Sequence, residues 1–220
     1  MEGQEKEKLP EHQAVYQRIR EQILFGDLSP GQPITITGIV ESIDAGVTPS
    51  REAIRRLCAE GALEMLGNRR VQVPVLTTKK MEQIKFARLA IEPELARAGA
   101  LKINKNQIDK MEKLDALVDE AIETGDIEKY LKSNFEFHFL LYNCAGMNVL
   151  KKIALSLWLR VGPSLPIVCG RFGTANLIDQ HEEAIKALRE GDSEAAAKAI
   201  KEDILEGFEV LEQYLATEKR

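Results

Sequence analysis

Apolar residues recur at helical spacing along most of this chain and alternate only in two short places. Residues 11–25 carry Val15, Ile19, Ile23 and Leu24 three or four apart, which predicts a first helix. Turn formers from Gly26 to Pro33 end it. Ile34-Thr35-Ile36 is short, β-branched and alternating, and predicts a small strand. Ile39–Ala45 predicts a short helix, and Thr48–Gly61 a second one after a tight Ala45-Gly46-Val47 connection. Residues 62–66 and 71–75 then read as a hairpin around a polar tip, Gly67-Asn68-Arg69-Arg70.

From Lys79 the pattern is helical to the end. It predicts helices at 81–101 (with Pro93 as a kink or a boundary), 106–124, 127–146, 148–161, 174–189 and 193–215. Gly162-Pro163-Ser164-Leu165-Pro166 interrupts the fourth, and Pro74–Thr78 reads as a linker with Thr77 or Thr78 capping the helix after it. The fold expected is mainly α: a flexible tail at 1–10, a winged helix-turn-helix at 11–76, and an antiparallel bundle of six or seven helices at 77–220.

Within Thr48–Gly61, Thr48 suits an N-cap and Pro49 the first helical position. Ala53, Ile54, Leu57 and Cys58 share one face, while Arg51, Glu52 and Arg55 lie largely on another. A cationic face on the second helix of such a unit suits a DNA groove, where guanidinium groups meet phosphates or read guanine. An ordinary surface helix with i,i+4 charge pairs gives the same pattern when taken alone. The short helix before it and the hairpin after it favour DNA, with Arg69 and Arg70 carried towards the backbone or minor groove.

Composition narrows the class. The chain of 220 residues is 44% hydrophobic and 30% charged, as in soluble globular proteins. No apolar run in the sequence suggests a bilayer span, and the charged, polar start is unlike a secretory signal, so a cytoplasmic protein with no membrane partner is expected. Cys58, Cys144 and Cys169 are scattered and odd in number, as expected of reduced thiols. The net charge of −5 opposes indiscriminate nucleic-acid binding, yet Arg51–Arg70 holds five arginines against three glutamates.

Taken together, the chain resembles the GntR-type transcription regulators, in the FadR-like subgroup with an all-helical FCD domain. The residues that carry the resemblance are Val15-Tyr16-Gln17-Arg18-Ile19-Arg20, the turn Gly26–Gly31, and Thr48-Pro49-Ser50-Arg51-Glu52-Ala53-Ile54-Arg55-Arg56-Leu57. Arg88, Glu92, Phe137-His138, His181 and Gly191-Asp192 extend it. It implies DNA contacts from Thr48, Ser50, Arg51, Arg55, Arg69 and Arg70. Two departures stand out near that interface. Ala45, Gly46 and Val47 replace the family's usual Val-Ser-Arg before Thr-Pro, and Arg70 stands where the wing usually has glycine. A different operator sequence or a weaker affinity follows.

The resemblance also implies a divalent metal, Zn²⁺, Ni²⁺ or Mn²⁺, at positions that here read Asn134, His138, His181 and Asp203. The usual first aspartate is an asparagine and the last histidine an aspartate, so the ligand charge stays at −1. A helical histidine is also commonly a hydrogen-bonded core residue, and some family members bind no metal. An effector pocket beside that position is implied, for a small carboxylic acid, sugar acid or amino acid, or in one branch a fatty acyl-CoA. Arg88 is the first candidate to hold its carboxylate and Arg160, beside Trp158, the second. A helical salt bridge from Arg88 to Glu92 is the plainer alternative. Phe135, Phe137, Phe139 and Leu141 read as core.

The expected activity is that of a homodimeric regulator, a repressor by the family's commoner habit, whose operator binding responds to the effector. Two other classes compete. One is a ligand or metal sensor with weakened DNA binding; the other is a metal-dependent enzyme built on His138, His181 and Asp203, although no nucleophile motif or phosphate loop accompanies them.

Overall fold

The computed structural model describes residues 10–67, 70–172 and 180–217, and among these it holds ten α-helices and a three-stranded sheet. The N-terminal part runs α1 (Glu11–Leu24), β1 (Pro33–Ile34), α2 (Ile36–Ile43), α3 (Val47–Ala59), β2 (Glu64–Met65) and β3 (Val71–Gln72). The sheet has the order β1-β3-β2, antiparallel throughout, with Ile34 opposite Val71 and Met65 opposite Val71 on the other side. This is a helix-turn-helix closed by a wing. Val15, Ile19 and Ile23 of α1 pack with Ile39, Ile43, Ala53, Ile54 and Leu57 in one apolar core.

Three boundaries differ from the sequence reading. Thr35 is not a strand residue: its hydroxyl accepts from Gly38 N at 3.0 Å and starts α2 three residues early. Asp44 ends that helix in the left-handed conformation, φ 48°, so the turn is Asp44–Gly46. The N-cap of α3 is Gly46 rather than Thr48. Glu11 accepts from Gly46 N at 3.1 Å and fixes the turn from α1, so the helix begins two residues earlier and no side chain caps it.

The bundle comprises α4 (Thr78–Ala100), α5 (Lys105–Thr124), α6 (Ile127–Ala145), α7 (Asn148–Val161), α8 (Leu165–Phe172), α9 (Gln180–Glu190) and α10 (Ser193–Thr217). Thr77 caps α4, Asn104 with Gln107 forms a capping box on α5, and Asp126 caps α6. Pro93 neither splits nor ends α4, which runs through it as one helix. The seventh helix is instead α8, entered from α7 through a 3₁₀ turn at Gly162–Ser164, where the sequence had suggested only an interruption. The residues read as the start of the helix at 174–189 lie outside the described residues as far as 179, and α9 is described from Gln180.

The segment Asn148–Gly170, from α7 into α8, is long and apolar enough to meet the composition of a membrane span, with a mean hydropathy of 1.4, which the sequence reading had missed. Its fold argues otherwise: the 3₁₀ turn breaks it, and Ala154, Trp158, Leu159 and Val161 are buried in the bundle core.

Candidate functional site

Helix α6 brings His138 into the centre of the bundle, with no exposed surface, and α10 presents Asp203 opposite it. Helix α9 adds His181, stacked on Phe137 at 3.8 Å between ring centroids. His138 Nε2 lies 3.2 Å from Asp203 Oδ2, and His181 Nε2 lies 3.9 Å from Asp203 Oδ1. Donor atoms from all three residues fall within 4.8 Å of one another.

The hydrogen bonds behind the imidazoles decide what they offer. Tyr142 donates its hydroxyl hydrogen to Glu92 Oε2 at 2.9 Å, so its oxygen is an acceptor for His138 Nδ1, 3.2 Å away. His138 therefore carries its proton on Nδ1 and presents a bare Nε2. That atom is off the line of a hydrogen bond to Asp203 and is buried without a hydrogen-bond partner among the described residues. His181 Nδ1 lies 2.9 Å from Asp115 Oδ1, and a carboxylate only accepts, so Nδ1 carries a proton and Nε2 is the nitrogen turned towards Asp203. Burial pushes His138 below the ordinary imidazole range, against the pull of Asp203, and keeps it neutral. Burial alone would raise the Asp203 carboxyl, and attraction and hydrogen bonding to protonated imidazoles at His138 and His181 would pull it down to about 2; with neutral imidazoles it is Arg88 that favours the ionised form. Two imidazole nitrogens and one carboxylate are the donor set of a divalent transition metal, which takes each imidazole in its neutral form. Ligands about 2.0–2.2 Å from such an ion stand roughly 3 to 3.5 Å apart; the 3.2 Å between His138 and Asp203 meets that spacing and the 3.9 Å between His181 and Asp203 needs only a small closure, so the residues fit.

Asn134, one turn before His138, is half-buried and lines a small cavity with Asp203, Arg88, Trp158 and Tyr130. The cavity measures about 90 Å³, and its remaining wall is apolar, including Leu165, Val168 and Phe208. Phe135, Phe137, Phe139 and Leu141 do not line it and pack in the core.

Arg88 borders this cavity but is not waiting for a ligand. Its Nε and Nη2 donate to the two oxygens of Glu92 at 2.5 and 3.0 Å, and the guanidinium lies 4.3 Å over the Trp158 ring. Glu92 is completely buried and also accepts from Trp158 Nε1 at 3.0 Å. The helical salt bridge that was the plainer alternative is thus formed, with four hydrogen bonds converging on one carboxylate. Arg160 is not in the cavity at all. It is exposed on the other side of α7, where Nη2 donates to the Glu60 carbonyl at 3.2 Å.

Sequence reasoning missed Asp115, Tyr142 and Glu92 as supports of the imidazoles. Only the i,i+4 spacing of His138 and Tyr142 on one helix hinted at them.

The second surface of interest is α3. Thr48, Arg51, Glu52 and Arg55 are exposed, whereas Ala53, Ile54 and Leu57 are buried. Ser50 departs from the reading: it is fully buried, and its hydroxyl donates to the Gly46 carbonyl at 2.8 Å, so its side chain is spent on the helix start. Val47 is 53% exposed and puts an apolar side chain at the N-terminal end of the helix. Arg56 turns back on the domain, 3.7 Å over the Tyr16 ring and 3.0 Å from Glu60. Arg70 is exposed on the wing, and Arg69 lies outside the described residues.

A winged helix-turn-helix with an exposed arginine face, joined to a helical bundle holding a buried polar centre, defines a DNA-binding regulator with a sensor domain. Comparisons with known proteins agree. The profile of the gntR family of bacterial regulatory proteins matches residues 11–73, and that of the FCD domain matches residues 83–206. The chain belongs to the GntR family of transcription regulators, in the group that carries an FCD domain, and not to a family of enzymes.

It is 24% identical to the transcriptional regulator McbR of Escherichia coli K12, over 89% of this chain and 90% of that one. The transcriptional repressor RspR of the same organism is 23% identical over 93% and 90%. A probable D-xylose utilization operon repressor of Paenarthrobacter nicotinovorans is 26% identical over 81% and 79%. The solved structure of E. coli McbR superposes with a TM-score of 0.86 at 23% identity, covering 94% of this chain and 99% of the other, which establishes the shared fold.

Proposed function

We propose that this regulator is a homodimeric repressor whose operator binding is controlled by a small carboxylate-bearing effector, held in the bundle beside a divalent metal. The observation that carries the ligand half is the convergence of two imidazole Nε2 atoms, each fixed by a partner on Nδ1, on the ionised Asp203. His138, His181 and Asp203 would hold the ion, with Asn134 beside Asp203 in the cavity as the fourth protein ligand. When bound, the metal supplies a positive charge on which an effector carboxylate can sit. Arg88 is already neutralised by Glu92, so an incoming anion finds its cation in the metal rather than in the arginine.

The cavity volume of about 90 Å³ corresponds to roughly three waters, which favours an effector of few heavy atoms. Two relatives described as repressors support repression. Family membership supports a cytoplasmic place of action. On DNA, Arg51 and Arg55 would enter the major groove, with Thr48 at the helix start and Arg69 and Arg70 on the wing, and a dimer would set two such helices on a near-palindromic site. Phe86 and Val149, 77% and 73% exposed on the bundle, are apolar surface that a second copy could cover. The exposed Val47 supports an operator that differs from those of relatives with a polar residue there.

The test is elemental analysis of the purified protein, followed by thermal-shift screening of small carboxylic acids with and without chelator. The expected result is one metal per chain, and stabilisation by an acid that chelation abolishes. A metal-free protein stabilised equally by acids with chelator present would overturn the metal-held effector.

A further inference from the structure

Two faces of α7 look in opposite directions. Ser156 and Arg160 stand four residues apart on one face, and Trp158, two residues from each, is turned roughly 200° away on the other. The first face grips the DNA-binding domain: Ser156 Oγ and Arg160 Nη2 both donate to the Glu60 carbonyl, at 2.8 and 3.2 Å. Glu60 is the C-cap of the DNA-reading helix α3. The fit is close because Gly61 follows in the left-handed conformation, φ 73°; a Cβ there would come within 2.1 Å of Arg160 Nη2. At the end of the same helix, Gly162 lies against α1, where a Cβ would meet the Ile23 carbonyl at 2.7 Å. Beside the clamp a cleft of about 710 Å³ opens between the two domains.

The second face reaches the buried centre. Trp158 donates to Glu92, lies under Arg88, and has its ring 5.2 Å from that of His138. It also touches Phe135 at 5.6 Å, and Phe135 meets Phe25, the C-cap of α1, at 5.9 Å. One helix therefore holds a proposed metal ligand's neighbours on one side and the end of the DNA-reading helix on the other.

We infer that Ser156 and Arg160 are positioning residues for DNA reading, and that α7, pivoting on Trp158, carries the state of the bundle centre to the end of α3. This rests on the reading of that centre as the effector site, but the joint itself is tested in the metal-free protein, without effector or operator. The readout is hydrogen exchange at the amides of residues 60–63, which bond to Arg56, Cys58 and Leu57 carbonyls. Ser156→Ala with Arg160→Ala is expected to speed exchange there about fivefold or more, a typical coupling between sites, with α5 and α9 unchanged.

Trp158→Phe keeps a ring under Arg88, though a smaller one, and deletes the bond to Glu92. It is expected to speed exchange at residues 60–63 in the wild-type background and to add nothing in the doubly substituted one. No effect, or an equal effect in both backgrounds, would overturn the inference, because the signal would not pass through the clamp. Should circular dichroism show Trp158→Phe unfolded, Phe139→Leu loosens Trp158, whose ring it meets at 5.8 Å from within the bundle, and is read in the same way. Elemental analysis judges the effector site separately, so failure of one reading is distinct from failure of the other.

Discussion

The chain contains the sequence Arg-Leu-x-x-Glu twice, once in each domain, and the two copies build the same cluster at different depths. In α3, Arg56 pairs with Glu60, lies over the Tyr16 ring, and Glu60 accepts from Tyr16 at 2.6 Å. In α4, Arg88 pairs with Glu92, lies over the Trp158 ring, and Glu92 accepts from Tyr142 at 2.9 Å. Side-chain exposure is 54% and 28% in the first pair and 9% and 0% in the second. Water screens the first and leaves it a minor contributor, whereas in the second every charge depends on its partner. The same residues serve as a surface brace in one domain and as the floor of a polar centre in the other.

Breaking the carboxylate separates them most sharply. Glu92→Ala strands the Arg88 guanidinium in the core and is expected to cost about 3–5 kcal/mol, while Glu60→Ala should cost about 1 kcal/mol. Urea unfolding followed by Trp158 fluorescence measures both, and equal costs would mean that burial does not distinguish the clusters. The tyrosines come next. Tyr142→Phe removes the acceptor that fixes the His138 tautomer and should weaken Zn²⁺ binding roughly 10–100-fold by calorimetric titration. Tyr16→Phe should leave it unchanged.

These clusters also show what could be read from the sequence. Both Arg–Glu pairs were visible as i,i+4 spacings, and so were the helices, the wing and the family-like stretch at Thr48–Leu57, because periodicity and turn residues are local properties. The depth of each pair was not visible, since burial depends on which helices pack over it. That is why Arg88 read as the first anchor for a ligand carboxylate and Arg160 as the second, although one is buried in the bundle and the other lies on an interdomain surface. His138, His181 and Asp203 could be aligned with the family pattern, and α6, α9 and α10 do bring them together. Asp115 could not be found that way, because its bond to His181 spans 66 residues. Ser50 misled because a serine early in a DNA-reading helix looks like a contact, while its hydroxyl closes the helix start instead.

On the DNA side the comparison can be sharpened within α3. Arg51→Ala should cost on the order of 1–3 kcal/mol in operator binding and lower the salt dependence, leaving the unfolding midpoint nearly unchanged. Arg56→Ala, whose guanidinium faces Tyr16 and Glu60, should instead shift stability slightly and spare DNA binding. Mobility-shift titrations at two salt concentrations decide between them. Equal losses of affinity would mean that α3 lies in the groove on a different face.

Alkaline pH gives the smallest and most local contrast. Burial, and then the Glu60 carboxylate beside it, push the Tyr16 phenol up to about 12, and burial with Glu92 pushes Tyr142 up as well. A tyrosine in the unfolded chain titrates near 10, so the folded protein holds these protons more tightly. The stabilising effect of Tyr16 is therefore complete below about pH 10 and is lost as pH rises through its folded value near 12. A difference titration of phenolate absorbance between wild type and Tyr16→Phe should show the Tyr16 step near 12. In Glu60→Ala that step should move down towards 10, because the hydrogen-bond acceptor and the negative charge are both gone. A Tyr16 step near 10 in the wild type would mean that the outer cluster is open to water, and that only the inner one shields its phenol.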